Sequence, residues 1–198
     1  MTTTDATTLP LPRESARSRV DATLGMVFFI GSWSMAFGTL FLSFLILRDK
    51  VGVWPPPGIA LPSFPLATVA TVVLLLSSAA VHLSVVRGRQ GAPGFAGLWA
   101  AGLVLGVAFT GLQSWLWWDL LAAGRSPESG TYESLFFGLT WVHAAHVVLS
   151  LVALLWVQFG IAAGRYGPHR ISTVQNTALF WHFMDVVWVL LYLGFFIF

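Results

Sequence analysis

The stretch SLFFGLTWVHAAHVVLSLVALLWVQFGIAAG, from Ser134 to Gly164, contains no Asp, Glu, Lys or Arg. It exceeds the roughly 20 apolar residues that carry a helix across a bilayer. It is also too long and too continuous for a strand of a membrane barrel, whose side chains alternate between lipid and lumen. Uncharged runs fill 22–47, 51–86, 90–118 and 171–181 as well, the last resuming after His182 and Asp185 and continuing to Phe198. Hydrocarbon offers no hydrogen bonds, so the backbone must satisfy itself. Five such runs therefore predict an all-α membrane protein with five transmembrane helices. Composition agrees, with 57% of 198 residues hydrophobic, 9% charged and a mean hydropathy of +0.79, outside the range of soluble domains.

Punctuation places the helices at about 22–47, 63–87, 94–121, 132–163 and 174–198. Arg48-Asp49-Lys50 ends the first, and Trp54-Pro55-Pro56-Pro57-Gly58 cannot continue it. Gly88, Gly91, Pro93 and Gly94 mark the second loop, Gly124 to Gly130 the third and Gly164 to His169 the fourth. Residues 22–198 form one bundle. Residues 1–21, rich in Thr, Pro and Arg, read as a disordered tail, and with no apolar stretch before Val20 no cleaved signal peptide is expected. Arg13, Arg17, Arg19, Arg87, Arg89, Arg165 and Arg170 fall on one side of the membrane, against Arg48, Lys50 and Arg125 on the other. The positive-inside rule then puts the N-terminus in the cytoplasm and the C-terminus outside. An anionic leaflet accounts for these arginines, so nothing points to nucleic acid. Cysteine is absent, which excludes disulfides, thiolate nucleophiles and Cys-ligated metal centres.

Ionisable groups at membrane depth are costly and tend to mark function. On the fourth helix, Thr140, His143, His146 and Ser150 recur every three or four residues and predict one polar stripe facing one buried surface. His143 and His146 could share a metal, but zinc helices typically space histidines at i, i+4 around a glutamate, which is absent here. The alternative is hydrogen bonding to neighbouring helices or lipid head groups. On the fifth helix, Gln175, His182, Asp185 and Tyr192 share a face, and His182 lies within reach of Asp185. That pair could relay protons or hold an interhelical network. Trp181 and Trp188 suit interface or interhelical packing. Gln113, central in the third helix, should find a partner across the bundle. His82 reads as interface chemistry. Two glycine rows, Gly31 with Gly38 and Gly102 with Gly106, suit close helix packing.

Trp54-Pro55-Pro56-Pro57-Gly58-Ile59, Leu74-Leu75-Leu76-Ser77-Ser78, Gln113, the segment from Phe136 to Val147 containing His143-Ala144-Ala145-His146, and Trp181-His182-Phe183-Met184-Asp185-Val186-Val187-Trp188 together resemble subunit III of haem-copper terminal oxidases. The likeness covers residues about 22 to 198 and corresponds to the short, five-helix bacterial form. It implies a multi-pass protein of the bacterial inner membrane that carries no cofactor itself. In that reading it packs on a catalytic subunit I holding haem and copper, among other oxidase subunits, and holds phospholipid in a cleft. It also supports O2 reduction coupled to proton pumping, with electrons from cytochrome c or quinol. The residues carried across are His143, His146, His182, Asp185, Gln113, Trp181 and Trp188, as a lipid-binding or interhelical polar network without a catalytic or metal role. Two positions depart from the family pattern: Trp33 follows Ser32 where a glutamate is usual, and Leu116 stands where Gln113 would be followed by one. Two other readings stay open, a subunit-III-like accessory of a nitric oxide reductase and a self-contained b-type cytochrome or metal protein.

Overall fold

The computed structural model describes residues 15–55 and 62–197. Five helices follow one another as α1 (Ala16–Val51), α2 (Phe64–Gln90), α3 (Phe95–Ala122), α4 (Thr131–Ala162) and α5 (Ser172–Tyr192), and a π-helical turn, Leu193–Ile197, ends the last. All five are long and apolar enough to cross a membrane. α1 starts inside the region expected to be a disordered tail, because Ser15 caps it, its hydroxyl accepting the Ser18 N–H at 3.1 Å. At 36 residues it is about 54 Å long and outruns a hydrocarbon core of about 30 Å. The rest of that expected tail, residues 1–14, and Pro56 to Ile59 of the proline loop lie outside the described residues.

Helices α2 to α5 form a ring in which each packs on the next and α5 closes back onto α2. The α2–α3 hairpin is the tightest pair. Its loop turns within four residues because Gly91 (φ 64°) and Gly94 (φ 87°) both take left-handed conformations. Gly102 lets the two backbones touch: a Cβ there would lie 2.5 Å from Val81 Cγ2 and 3.2 Å from the Ser77 carbonyl. The Ser77 hydroxyl donates to the Gly102 carbonyl at 2.6 Å, and Ser84 repeats this with Phe95 at 2.7 Å. Indole donors serve the α3–α4 pair, Trp99 Nε1 to the Leu154 carbonyl (2.9 Å) and Trp117 Nε1 to Thr140 Oγ1 (3.1 Å).

α1 stands outside the ring, against α5 and α4. It docks through Phe29, Trp33, Phe37, Phe41 and Phe44, one aromatic per turn, meeting Phe180 (5.3 Å between ring centroids), Phe183 (6.2 Å from Phe37) and Phe195 (4.7 Å from Phe44). Gly194 admits this stripe, since a Cβ would come within 3.0 Å of Phe44. The two glycine rows part company. Gly102 and Gly106 pack closely as expected, whereas nothing lies within 4 Å of a Cβ built on Gly31 or Gly38. Gly38 borders the open cleft between α1 and α5, beside Phe37, Phe41 and Phe183, and Gly31 is exposed on the outer side of α1.

Candidate functional site

Polar side chains join α2 to α5 along an antiparallel seam. Thr68 Oγ1 and Tyr192 Oη are 2.8 Å apart, Trp188 Nε1 donates to Thr71 Oγ1 at 2.9 Å, and Ser78 Oγ lies 2.6 Å from His182 Nδ1. The spacing on each helix keeps register, so the seam runs from near one end of the pair to beyond its middle. The expected meeting of His182 and Asp185 is present, with Nδ1 3.5 Å from Oδ2. That is long for a hydrogen bond, and Ser78 holds the same ring nitrogen more closely. Asp185 therefore sits against both His182 and Ser78, in loose contact with each. His182 and Asp185 open, together with Ser78, Leu75, Val186 and Leu190, onto a groove of about 320 Å³ on the outer face of the α2–α5 pair.

His82 belongs to this seam, which its sequence context does not reveal. It sits one turn from Ser78, and its ring centroid is 5.9 Å from that of His182. The signal lay in the i, i+4 spacing of Ser78 and His82 opposite His182, but reading it requires knowing that α2 pairs with α5.

A second polar layer is internal. Trp188 is fully enclosed, its indole stacking near His143 (5.7 Å, 29°) and meeting Phe109 edge-on (5.1 Å) while bonding Thr71. All four ring helices thus converge on this one side chain. His143 is buried with both ring nitrogens unbonded among the described residues. The amide of Gln113 is likewise buried and unpaired, where a partner across the bundle is expected. Trp117 bonding Thr140 and Trp99 bonding Leu154 fix the α3–α4 register, which brings Gln113 level with His143. Trp181 is also enclosed, packed over Gly106.

The expected single stripe on α4 divides. Thr140, His143 and Ser150 face the ring interior, while His146 turns outward to α1. Three residues advance a helix by 300°, so consecutive members drift by about 60° and two of them straddle the edge of the buried sector. His146 lies edge-on to Trp33 (4.0 Å) and Phe37 (5.2 Å), and its Nδ1 is 2.7 Å from the Val142 carbonyl. The two histidines therefore face different neighbours. Among the described residues, no three His, Asp or Glu side chains converge as a metal site would require. Trp33 fills its departing position as a cover over His146, and Leu116 fills the other as buried core.

At the end of the bundle where α3 meets α4, Arg125 Nη2 pairs with Glu133 Oε1 at 3.1 Å. Tyr132 beside it packs on Trp54 (4.9 Å), which in turn lies against Phe44 (5.6 Å).

Several known proteins are similar in sequence. Cytochrome c oxidase subunit 3 of Thermostichus vulcanus is 28% identical over 171 residues, covering 85% of this chain and 83% of the relative. Quinol oxidase subunit 3 of Bacillus subtilis (strain 168) is 27% identical over 188 residues, covering 93% and 90%. The probable cytochrome c oxidase subunit 3 of Mycobacterium tuberculosis (strain ATCC 25618 / H37Rv) is 27% identical over 171 residues, covering 85% and 84%. The family match extends over residues 15–198, all five helices included, and the chain belongs to the cytochrome c oxidase subunit III family.

Proposed function

We propose that this chain serves as the non-redox subunit III of a haem-copper terminal oxidase, taking cytochrome c or quinol as the complex's electron donor. In this reading it braces the catalytic subunit I, which holds the haem and copper, and binds phospholipid beside α1. The observation that carries the proposal is the split polar set within a subunit III fold. His143 and Gln113 are sealed inside the ring, His146 is capped by Trp33 and Phe37, and only the His182–Asp185 end opens outward. Opposed axial histidines, as a b-type haem needs, have no counterpart in that arrangement.

Two nearly apolar clefts flank α1, each about 240 Å³, one against α5 around Phe37, Phe41 and Phe183 and the other against α4 around Leu40, Leu135 and Val142. Acyl chains fit such clefts, and Arg17 and Arg19 at one end of α1 with Arg48 and Lys50 at the other stand where phosphate groups sit. Loop charge supports a cytoplasmic N-terminus and an external C-terminus, and the bacterial origin of the relatives supports residence in a bacterial inner membrane. The polar network of His143, His146, His182, Asp185, Gln113, Trp181 and Trp188 then acts as interhelical structure.

The test is to tag the chain, extract it gently from its native membrane and record a reduced-minus-oxidised spectrum with mass-spectrometric lists of partners and lipids. Co-purification of a large haem-bearing subunit, haem loss when that subunit is stripped, and retained phospholipid are the expected results. Haem or metal kept by the isolated chain overturns the reading.

A further inference from the structure

The five apolar runs, 22–47, 62–86, 90–118, 134–164 and 171–197, contain no Lys or Arg and one acidic side chain, Asp185. It lies 13 residues into α5, about 20 Å from the start of a helix long enough to cross a bilayer. A bare carboxylate at that depth, with no cationic side chain on any span to balance it, costs several kcal/mol. The side chain of Asp185 is 7% exposed and rests against His182 and Ser78. A carboxylate paired with an imidazolium closes to about 2.7–2.9 Å. Here His182 Nδ1 and Asp185 Oδ2 stand 3.5 Å apart, and the Ser78 hydroxyl takes that ring nitrogen at 2.6 Å instead. This is the arrangement of a neutral imidazole accepting from serine. The other titratable group at the seam is His82 of α2, its ring centroid 5.9 Å from that of His182. α4 brings His143 only to Trp188, inside the ring, and the apolar runs of α1 and α3 contain no titratable side chain.

We infer that Asp185, Ser78 and His182 form a proton-binding site within the membrane, which holds one proton, at rest on the Asp185 carboxyl. The charge count decides the number. Two protons on the Asp185–His182 pair give a net charge of plus one, none gives minus one, and a single proton leaves the pair neutral in hydrocarbon. Geometry decides the resting place, because the ring nitrogen is already taken up by Ser78. Ser78 lies against both partners, so the acid can pass its proton to the serine oxygen as the serine passes its own to Nδ1. That exchange gives carboxylate and imidazolium, makes and breaks one O–H bond at serine, and keeps the net charge at zero. The groove of about 320 Å³ leaves the site open on one side. None of this depends on which complex the chain joins.

The test is infrared spectroscopy of the tagged full-length chain in lipid nanodiscs, wild type against Asp185→Asn, in H2O and in D2O. Wild type should show the carbonyl stretch of an undissociated carboxylic acid, moved to lower frequency in D2O and missing from Asp185→Asn. Its amplitude should stay constant from about pH 6 to pH 9, a range in which an ordinary aspartate is ionised throughout. Ser78→Ala should move the band to lower frequency, because the freed Nδ1 becomes the acceptor for the acid itself. Should Asp185→Asn fail to accumulate, wild type grown with carboxyl-labelled carbon-13 aspartate identifies the band by its isotope shift. Asp21, Asp49 and Asp119 are exposed, and Glu133, also buried, does not carry that label. A carboxylate stretch in place of the acid band, an acid band that fades within that pH range, or a Ser78→Ala spectrum identical to that of wild type overturns the inference.

Discussion

Gly102 offers a sharp test of how the ring holds together. A methyl group added there would sit 2.5 Å from Val81 Cγ2, with the Ser77 carbonyl at 3.2 Å and the Val81 amide nitrogen at 3.3 Å. Carbon atoms prefer 3.5–4.0 Å, and Val81 is β-branched, so its side chain cannot simply rotate aside. The two helices must therefore separate, stretching the Ser77–Gly102 hydrogen bond from its 2.6 Å. Overpacking of this kind costs about 1–3 kcal/mol. Replacing glycine by alanine in a helix also gains up to about 1 kcal/mol of propensity, which blurs a single measurement. Gly31→Ala is the proper reference, since the same propensity gain comes with nothing within 4 Å of the new methyl. Propensity cancels in the difference between the two variants, leaving the steric cost. For a central value of about 2 kcal/mol, Gly102→Ala should lose its fold roughly 4–8 °C below Gly31→Ala. The assay is the temperature of half-aggregation of the fluorescently tagged subunit in mild detergent. Val81→Ala combined with Gly102→Ala should recover most of the loss, a coupling that a double-mutant cycle measures. Equal midpoints for Gly102→Ala and Gly31→Ala would refute the close-contact argument.

Trp188→Phe keeps the ring against His143 and Phe109 but deletes the bond to Thr71. The expected loss is about 0.6 kcal/mol, the mean for interhelical bonds in membranes, and a drop as large as that of Trp188→Ala in the same thermal assay would show that the indole bond matters more than packing. Arg125→Ala leaves Glu133 buried without its partner at 3.1 Å. That change should cost about 3–5 kcal/mol, read as loss of full-length subunit from the membrane, with Glu133→Gln in the same background restoring part of it. His182→Ala, which removes the partner of Ser78, should weaken assembly by about 1–3 kcal/mol, and unchanged complex yield and lipid content would contradict it. Trp33→Glu places a carboxylate beside His146, and a hydrophobic carbodiimide should then label residue 33. Absence of label would mean that the α1–α4 contact does not admit the reagent.

How much of this was legible in the sequence depends on what kind of signal each feature leaves. The five helices were visible because charge stops at their ends: Arg48, Arg87 and Asp119 each sit within a few residues of a helix limit. The start of α1 was misplaced because a Ser15 cap in a Thr- and Arg-rich tail resembles disorder when read for composition. Which face of each helix is buried was harder. In lipid, the outer side is as apolar as the inner one, so Phe28, which is exposed, and Phe44, which is enclosed, look alike in sequence. Gly31 and Gly38 had the same appearance as Gly102 and Gly106 and the opposite fate. His182 with Asp185 was readable because both lie on one helix. The pairing of His82 and Ser78 with them was not, because it depends on α5 closing the ring onto α2.

The two positions that depart from the family pattern bear on where ionisable chemistry survives. A glutamate at 33 would have faced His146 across the α1–α4 contact; the indole instead meets the imidazole at 4.0 Å and shuts it between aromatic rings. A glutamate at 116 would have stood among core side chains, and leucine occupies that place fully buried. In both places packing stands where the family pattern has an acid, enclosed in the core at Leu116 and half-buried against His146 at Trp33, and a charge desolvated there would be costly. Among the described residues, this leaves Asp185 as the one carboxylate deep within a predicted span, and it lies at the floor of the groove that opens to the outside. The interior pair His143 and Gln113 lies instead below Glu133, whose buried carboxylate is held by Arg125 at the end of the bundle where α3 meets α4.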